Sequence, residues 1–333
     1  MSASSSSSAP DDAFAQAAAA GIHRLSIPTP FAVGRVNCYL IEDEPLTLID
    51  TGPNSGKSLD ELEQALAAHG RAVEDIELIV VTHQHMDHVG LLEILARRSG
   101  AEIAAFHSLG PYLADFKRSA TEDDDFAQGV MRRHGIPAEL ATVLGAVGAA
   151  FRAFGSGGTV TQELRDGDRL SFRDRELLVL HRPGHSPSDT VFLDERRRIL
   201  IGGDHLLPHI SSNALIARDH AHPLITYMDS MRATRELAAD LVLPGHGDPI
   251  GDHRALIHER LRMHERRARK LLQLLSDGPM SAYELALEMW GNVAVTQAFL
   301  TISEVLGHMD LLVRDGLADE TEEDGVVRFV AQG

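Results

Sequence analysis

Thr82-His83-Gln84-His85-Met86-Asp87-His88 stands between an apolar run, residues 77–82, and a segment with helical spacing, residues 89–98, carried by Leu91, Leu92, Ile94 and Leu95. The first run predicts a short strand and the second a helix. Side chains two apart in an extended segment point the same way, so His83 and His85 can share one metal ion. Asp87 and His88 fall where the chain turns into the helix and can reach a second ion. Imidazole nitrogen and carboxylate oxygen are donors that borderline divalent ions such as zinc accept, and iron or manganese suits the same set.

Working outward, further donors stand at the ends of other apolar runs. Upstream, Leu48-Ile49-Asp50-Thr51-Gly52 is a strand-like run ending in an aspartate and a glycine turn. Downstream lie His185 in Pro183-Gly184-His185-Ser186, Asp204 in Gly202-Gly203-Asp204-His205, and His246 in Pro244-Gly245-His246-Gly247. Strands are expected over residues 22–28, 36–41, 46–50, 77–82, 101–106, 177–181, 190–194, 198–202 and 241–243, with helices over 58–69 and 89–98. The alternation is α/β throughout. Between about 109 and 158 it is interrupted by two expected helices, 124–134 and 137–154, an insertion of the length usually given to a lid.

With these motifs in place the chain resembles the metallo-β-lactamase superfamily, over roughly residues 22–252. The resemblance implies an αββα sandwich with a dinuclear site along one edge. It implies one ion on His83, His85 and His185, the other on Asp87, His88 and His246, and Asp204 bridging both. Asp50 would support the ligand loop from behind. Two ions about 3.5–4 Å apart would share a water of lowered pKa, and the hydroxide so formed would attack an electrophilic carbonyl or phosphorus. Asp87 would orient that water and accept its proton. The bridging aspartate counts against β-lactam hydrolysis and fits glyoxalase II-like thioesterases or ribonuclease Z-like phosphodiesterases.

The remainder divides as a disordered leader over residues 1–20, the metallo-β-lactamase-like unit over 21–252, and a smaller α+β unit over 253–333. The last is expected to hold a long helix over 253–275, a helix opened by the capping box Ser281-Ala282-Tyr283-Glu284, a helix over 296–314, and a hairpin turning at Asp324-Gly325. Together these read as a winged-helix-like module. Its last helix has no lysine or arginine over 296–310, and its hairpin carries Asp319, Glu320, Glu322, Glu323 and Asp324, so duplex DNA is not expected as a partner.

The 333 residues carry a net charge of −18, which opposes unaided binding of phosphate backbones. A basic stretch between Arg254 and Lys270 is the exception. Its bland reading is a solvated helix face; its sharp reading is a clamp, through Arg260, Arg266, Arg267 and Lys270, for an anionic handle such as glutathione, coenzyme A or single-stranded RNA. Arg132 and Arg133 on the insertion are further candidates. The favoured substrate is a small anionic acyl thioester, with single-strand RNA cleavage as the alternative and a low-turnover ligand-binding or regulatory role third. The lone Cys38 cannot form an intrachain disulfide, no run is long enough to span a bilayer, and the serine-rich start lacks a basic signal region, so a cytoplasmic location is expected. The sequence leaves open whether the C-terminal unit makes a homodimer.

Overall fold

The structure, a computed structural model, describes residues 10–220 and 222–332. Among these, strands β1 (Ile22–Ile27), β2 (Val36–Ile41), β3 (Thr47–Ile49), β4 (Leu78–Val81), β5 (Glu102–Phe106) and β6 (Gln162–Leu164) form one sheet in that order. β1 to β3 pair antiparallel and β3 to β6 parallel. A second sheet holds β7 (Arg169–Ser171), β8 (Glu176–His181), β9 (Thr190–Asp194), β10 (Ile199–Gly203) and β11 (Leu241–Pro244), with β10 and β11 parallel at one side.

Helices α1 (Pro10–Ala19), α2 (Gly56–Ala68), α3 (Met86–Val89) and α4 (Leu92–Ser99) belong to the first half. α5 (Gly110–Ala114), α6 (Phe116–Arg133) and α7 (Ala138–Phe151) fill the insertion. α8 (Pro223–Arg235) and α9 (His253–Leu274) lie on the second sheet, and α10 (Ala282–Trp290), α11 (Val293–Thr296), α12 (Ala298–Arg314), β12 (Met280–Ser281), β13 (Ala318–Glu323) and β14 (Val326–Ala331) complete the chain.

The strand sequences explain the layering. Every residue of β2 is buried, because the strand lies between two cores. Cys38 and Leu40 pack outward with Leu62, Leu66, Leu92 and Leu95 of α2 and α4. Tyr39 and Ile41 point inward, where the two sheets meet over Val80, Phe192, Ile201 and Leu243. β10 and β11 alternate likewise: Leu200 and Val242 face α8 and α9 through Tyr227, Met231 and Ile257. Helix, sheet, sheet, helix is the resulting order, the α/β sandwich expected. Its parallel strands end together, so the loops after β3, β4, β10 and β11 gather at one edge.

Three features depart from the sequence reading or refine it. The leader expected to be disordered is helical from Pro10, with Ala13 and Ala17 buried in the inter-sheet core and Arg24 over the Phe14 ring at 4.0 Å; residues 1–9 lie outside the described residues. Alanine-rich spacing that buries two small residues one turn apart is enough to dock it. Second, α8 has no counterpart among the expected elements, because burial on several sides removes a clean apolar stripe. Third, the insertion and the C-terminal unit share one core: Met131, Ile136 and Ala141 pack with Leu285, Ile302, Val305 and Phe329. The C-terminal hairpin turns at Asp324-Gly325 with φ 53° and 78°, and Ser281 and Glu284 exchange the capping-box bonds. Among the described residues, no helix is long and apolar enough to cross a membrane.

Candidate metal centre

The loop after β4 is held from behind by Asp50. Its backbone is left-handed (φ 60°), a conformation aspartate tolerates, which swings the carboxylate under the neighbouring loop. One oxygen accepts the Thr82 N–H at 2.9 Å; the other accepts the Thr82 hydroxyl at 2.8 Å and the His88 Nδ1–H at 2.7 Å. Thr82 Oγ1, with its proton committed to Asp50, accepts from His83 Nδ1 at 3.0 Å. The same device recurs on other loops. His185 Nδ1 donates to the Asn213 carbonyl at 2.9 Å, and His246 Nδ1 to the Arg35 carbonyl at 2.8 Å. Four of the imidazoles thus spend their outer proton on an oxygen and present a bare Nε2 inward.

Those inward atoms converge. His85 Nδ1 lies 3.0 Å from both His83 Nε2 and His185 Nε2. His246 Nε2 is 3.2 Å from Asp87 Oδ2. Between the two groups stands Asp204, whose carboxylate oxygens lie 3.4 Å from His88 Nε2, 3.5 Å from His246 Nε2 and 3.8 Å from His185 Nε2. All seven sequence-predicted donors are therefore brought to one place, as the trio His83, His85, His185, the trio Asp87, His88, His246, and a carboxylate between them. Asp50 stands behind the cluster, its carboxylate on the outer nitrogen of His88.

The donor set fits a divalent metal ion. A single Nδ1–H on His85 cannot satisfy two lone-pair nitrogens at once. His88 Nε2, His246 Nε2 and Asp204 Oδ1 are buried without a hydrogen-bond partner. Orphaned buried donors and acceptors of this kind are costly, and a shared cation removes the cost. Protonation differs between the trios: against burial, Asp204 and Asp50 hold His88 well above the usual histidine range and Asp204 and Asp87 raise His246, so a cation would have to displace a proton from these two. Burial, reinforced by His185, pushes His85 down to about 3, so it is neutral. Burial alone would raise Asp204, but His246 and His88 hold it well below the usual carboxylate range, so it is ionised. Neutral imidazole and ionised carboxylate are the forms that bind metal.

Glycines allow the loops to come this close. A Cβ on Gly245 would lie 2.1 Å from Asp204 Oδ1 and 2.9 Å from His88 Cε1. Gly184, at φ 147°, leaves no room for a side chain because Tyr227 Cβ would be 2.3 Å away. Sequence reasoning missed other supports. Asp189 accepts from Ser186 N and Oγ, each at 2.8 Å, and fixes the turn carrying His185; burial raises this carboxyl to about 6 against those bonds. Asn37 Nδ2 donates to the carbonyls of Pro244 and Gly247 at 3.0 and 2.9 Å, binding β2 to the His246 loop.

The basic clamp expected on α9 does not form. Arg260 is buried and donates to the Pro208 carbonyl at 3.0 Å, and Arg267 pairs with the buried Glu304. Arg266 and Lys270 are exposed and do not line the cavity beside the metal centre. A helix that is packed on several sides turns part of its basic stretch inward, where carbonyls and a carboxylate claim it.

An apolar cavity of about 480 Å³ opens on His85 and His185. Its walls come from α6 and α7, from the loop containing Leu215 and Ile216, and from the start of α12. Arg152 on its rim is paired with Asp124 at 2.7 Å, and Asp123 is held by Arg218 at 2.9 Å.

Comparison with known proteins agrees with this architecture. The chain is 32% identical over 310 residues to the Bacillus subtilis (strain 168) protein named "Probable metallo-hydrolase YqjP", covering 92% of this chain and 96% of that protein. A crystal structure of a metallo-beta-lactamase family protein from Thermus thermophilus superposes with a TM-score of 0.81 at 26% identity, over 94% of this chain and 99% of the other. A more distant relative, from Bos taurus, is named acyl-coenzyme A thioesterase MBLAC2; it is 28% identical over 230 residues, 66% of this chain and 76% of that protein. Residues 32–246, which contain every inward-facing donor, match the metallo-beta-lactamase superfamily, and the chain belongs to it.

Proposed function

We propose that the chain is a dinuclear metal-dependent hydrolase of acyl thioesters, with zinc as the working metal. The observation that carries this reading is the junction between the donor cluster and the apolar cavity: His85 and His185 belong to both. His83, His85 and His185 would hold one ion, Asp87, His88 and His246 the other, and Asp204 both. When bound, such ions supply an activated water and Lewis-acid stabilisation of charge developing on a carbonyl oxygen.

The chain's own residues do the rest. Asp50, Asn213 and Arg35 fix the tautomers and aim of His88, His185 and His246 through the bonds already described, so the donors need no reorganisation when substrate arrives. Asp87 reaches the cluster through the oxygen facing His246 and is placed to take a proton from attacking water and pass it to the departing sulfur. The balance is simple: the carbonyl carbon gains a C–O bond, the C–S bond breaks, and the sulfur leaves as thiol. No serine or cysteine nucleophile is required, and Cys38 is buried in the outer core.

A thioester is favoured over RNA by the lining. The arginine on the cavity rim is committed to Asp124, and the helix expected to clamp a polyanion faces elsewhere. The bovine relative's name supports the same class. Steady-state hydrolysis of lactoylglutathione and of an acyl-CoA by the zinc-loaded protein, with His85→Ala as control, tests it. Metal-dependent thiol release at least about a hundredfold above the control is expected, the scale of losing one group that stabilises the transition state. Release no faster than the control with both substrates overturns the thioesterase reading.

A further inference from the structure

We propose that the cavity between the insertion and α12 is an acyl-chain site selecting linear apolar acyl groups of medium to long length. The chemistry of this proposal rests on the thioesterase reading; the binding site does not. The volume, about 480 Å³, lies within the range of small-molecule sites and far exceeds what a lactoyl group fills. Phe116, Phe126 and Leu144 of the insertion line it together with Leu215, Ile216 and Phe299. Its carboxylates are already engaged, Asp124 with Arg152 and Asp123 with Arg218, so the interior offers no free charge to a polar acyl group or a charged tripeptide. Val147 and Leu300 line the cavity while remaining half-exposed, which marks an open apolar mouth rather than a sealed core.

A second observation is independent of the lining. α7 contains Gly145 and Gly148, and each glycine weakens a helix relative to alanine. Gly145 has a packing reason, since a Cβ there would lie 2.4 Å from Gln128 Nε2. Gly148 has none: its Cβ would meet a single atom within 4 Å, Asp124 Oδ1 at 3.6 Å. Protein packing therefore leaves room at Gly148, and that room belongs to the cavity. A bound chain would lie along the missing side chain, with its thioester end at His85 and His185.

The test is a series of straight-chain acyl-CoA substrates, acetyl to palmitoyl, on the metal-loaded full chain. Free thiol is read with a chromogenic reagent, to which buried Cys38 adds little background. kcat/KM should climb roughly three- to fourfold per methylene and then level off when the cavity is full. Gly148→Leu, which suits a helix, should lower the ratio of dodecanoyl to acetyl activity at least about tenfold, the loss of two methylenes' worth of burial. A flat length profile, or equal loss at every length in Gly148→Leu, overturns the proposal. If no thioester is turned over, the thioesterase reading falls alone, and calorimetry with straight-chain alcohols of increasing length decides the site. Affinity that rises with length and is cut about tenfold or more by Gly148→Leu supports it; length-independent affinity overturns it.

Discussion

Asp50 holds His88 from behind the metal centre, with Oδ2 2.7 Å from Nδ1 and both side chains buried. The same carboxylate holds Thr82 by its N–H and hydroxyl, so one residue sets the end of β4, the tautomer of His83 through Thr82, and the aim of His88. Asp50→Asn keeps the shape and tolerates the left-handed backbone, yet cannot accept all three bonds. Metal affinity should fall about 10–100-fold with the fold intact. Titration with zinc against a chromophoric chelator, with circular dichroism as the folding control, would read it; unchanged affinity would remove Asp50 from its supporting role.

Gly245 is the tightest approach in the site. Gly245→Ala would force a methyl to within 2.1 Å of Asp204 Oδ1, displacing the carboxylate that stands between the two trios. Turnover should drop at least about a hundredfold, on the scale of losing one preorganised group from a catalytic site. Gly251→Ala, where a Cβ meets nothing within 4 Å, is the matched control. Equal activity in the two variants would contradict the crowding argument.

These two residues show what the sequence carries and what it does not. The donors are legible because each sits where a short apolar strand stops, and because HxHxDH is a local pattern whose geometry needs only strand periodicity. Asp50 is legible for the same reason. The Arg35 and Asn213 carbonyls that orient His246 and His185 are not, since a backbone acceptor has no side-chain signature. Arg260 and Arg267 mislead, because a helix dense in arginine does not announce which of its residues face carbonyls or a buried carboxylate. The cavity is assembled from the insertion, a loop after β10 and the start of α12, segments far apart in the chain, and no local pattern records their meeting.

The pair Asp43–Arg175 ties the turn after β2 to the turn before β8. Its side chains are 1% and 3% exposed, with Arg175 Nε 3.0 Å from Asp43 Oδ2, and Arg175 also donates to the Ala20 carbonyl at 2.8 Å. Removing one partner strands the other charge in the interior. Arg175→Ala should cost about 3–5 kcal/mol, whereas the double change Asp43→Leu with Arg175→Met should recover much of it. Denaturant midpoints of the single and double variants provide the measurement, and equal losses in both would refute an uncompensated charge as the cause.

Acid should loosen the interface between α9, α12 and the insertion before it unfolds the sandwich. Burial pushes His264 down to about 3, against the pull of Glu304 and with a further push from His308, and pushes His134 down to about 4, helped by Arg133. His264 is enclosed by His308 Nε2 at 3.2 Å, the Ser211 hydroxyl at 3.4 Å and the Tyr227 ring, while the Glu304 carboxylate is already paired with Arg267. A proton there gains only the Ser211 hydroxyl and the Glu304 carboxylate, 3.9 Å from His264 Nδ1, and burial outweighs both. In the unfolded chain both histidines titrate near about 6.5, above their folded values. Their neutral forms hold full stability above that pH. As pH falls from about 6.5 toward 3–4 the unfolded state takes up protons first, and each histidine should withdraw roughly 2 kcal/mol by about pH 5 and roughly 3–4 kcal/mol by the end of that range. Metal release in the same range confounds a whole-molecule melt, so the comparison is His264→Gln against wild type, by hydrogen exchange in α9 and α12 at about pH 7 and about pH 5, either side of the unfolded-state titration. Wild type should lose more protection than the variant on going to the lower pH. Equal losses would mean that His264 does not carry the acid sensitivity.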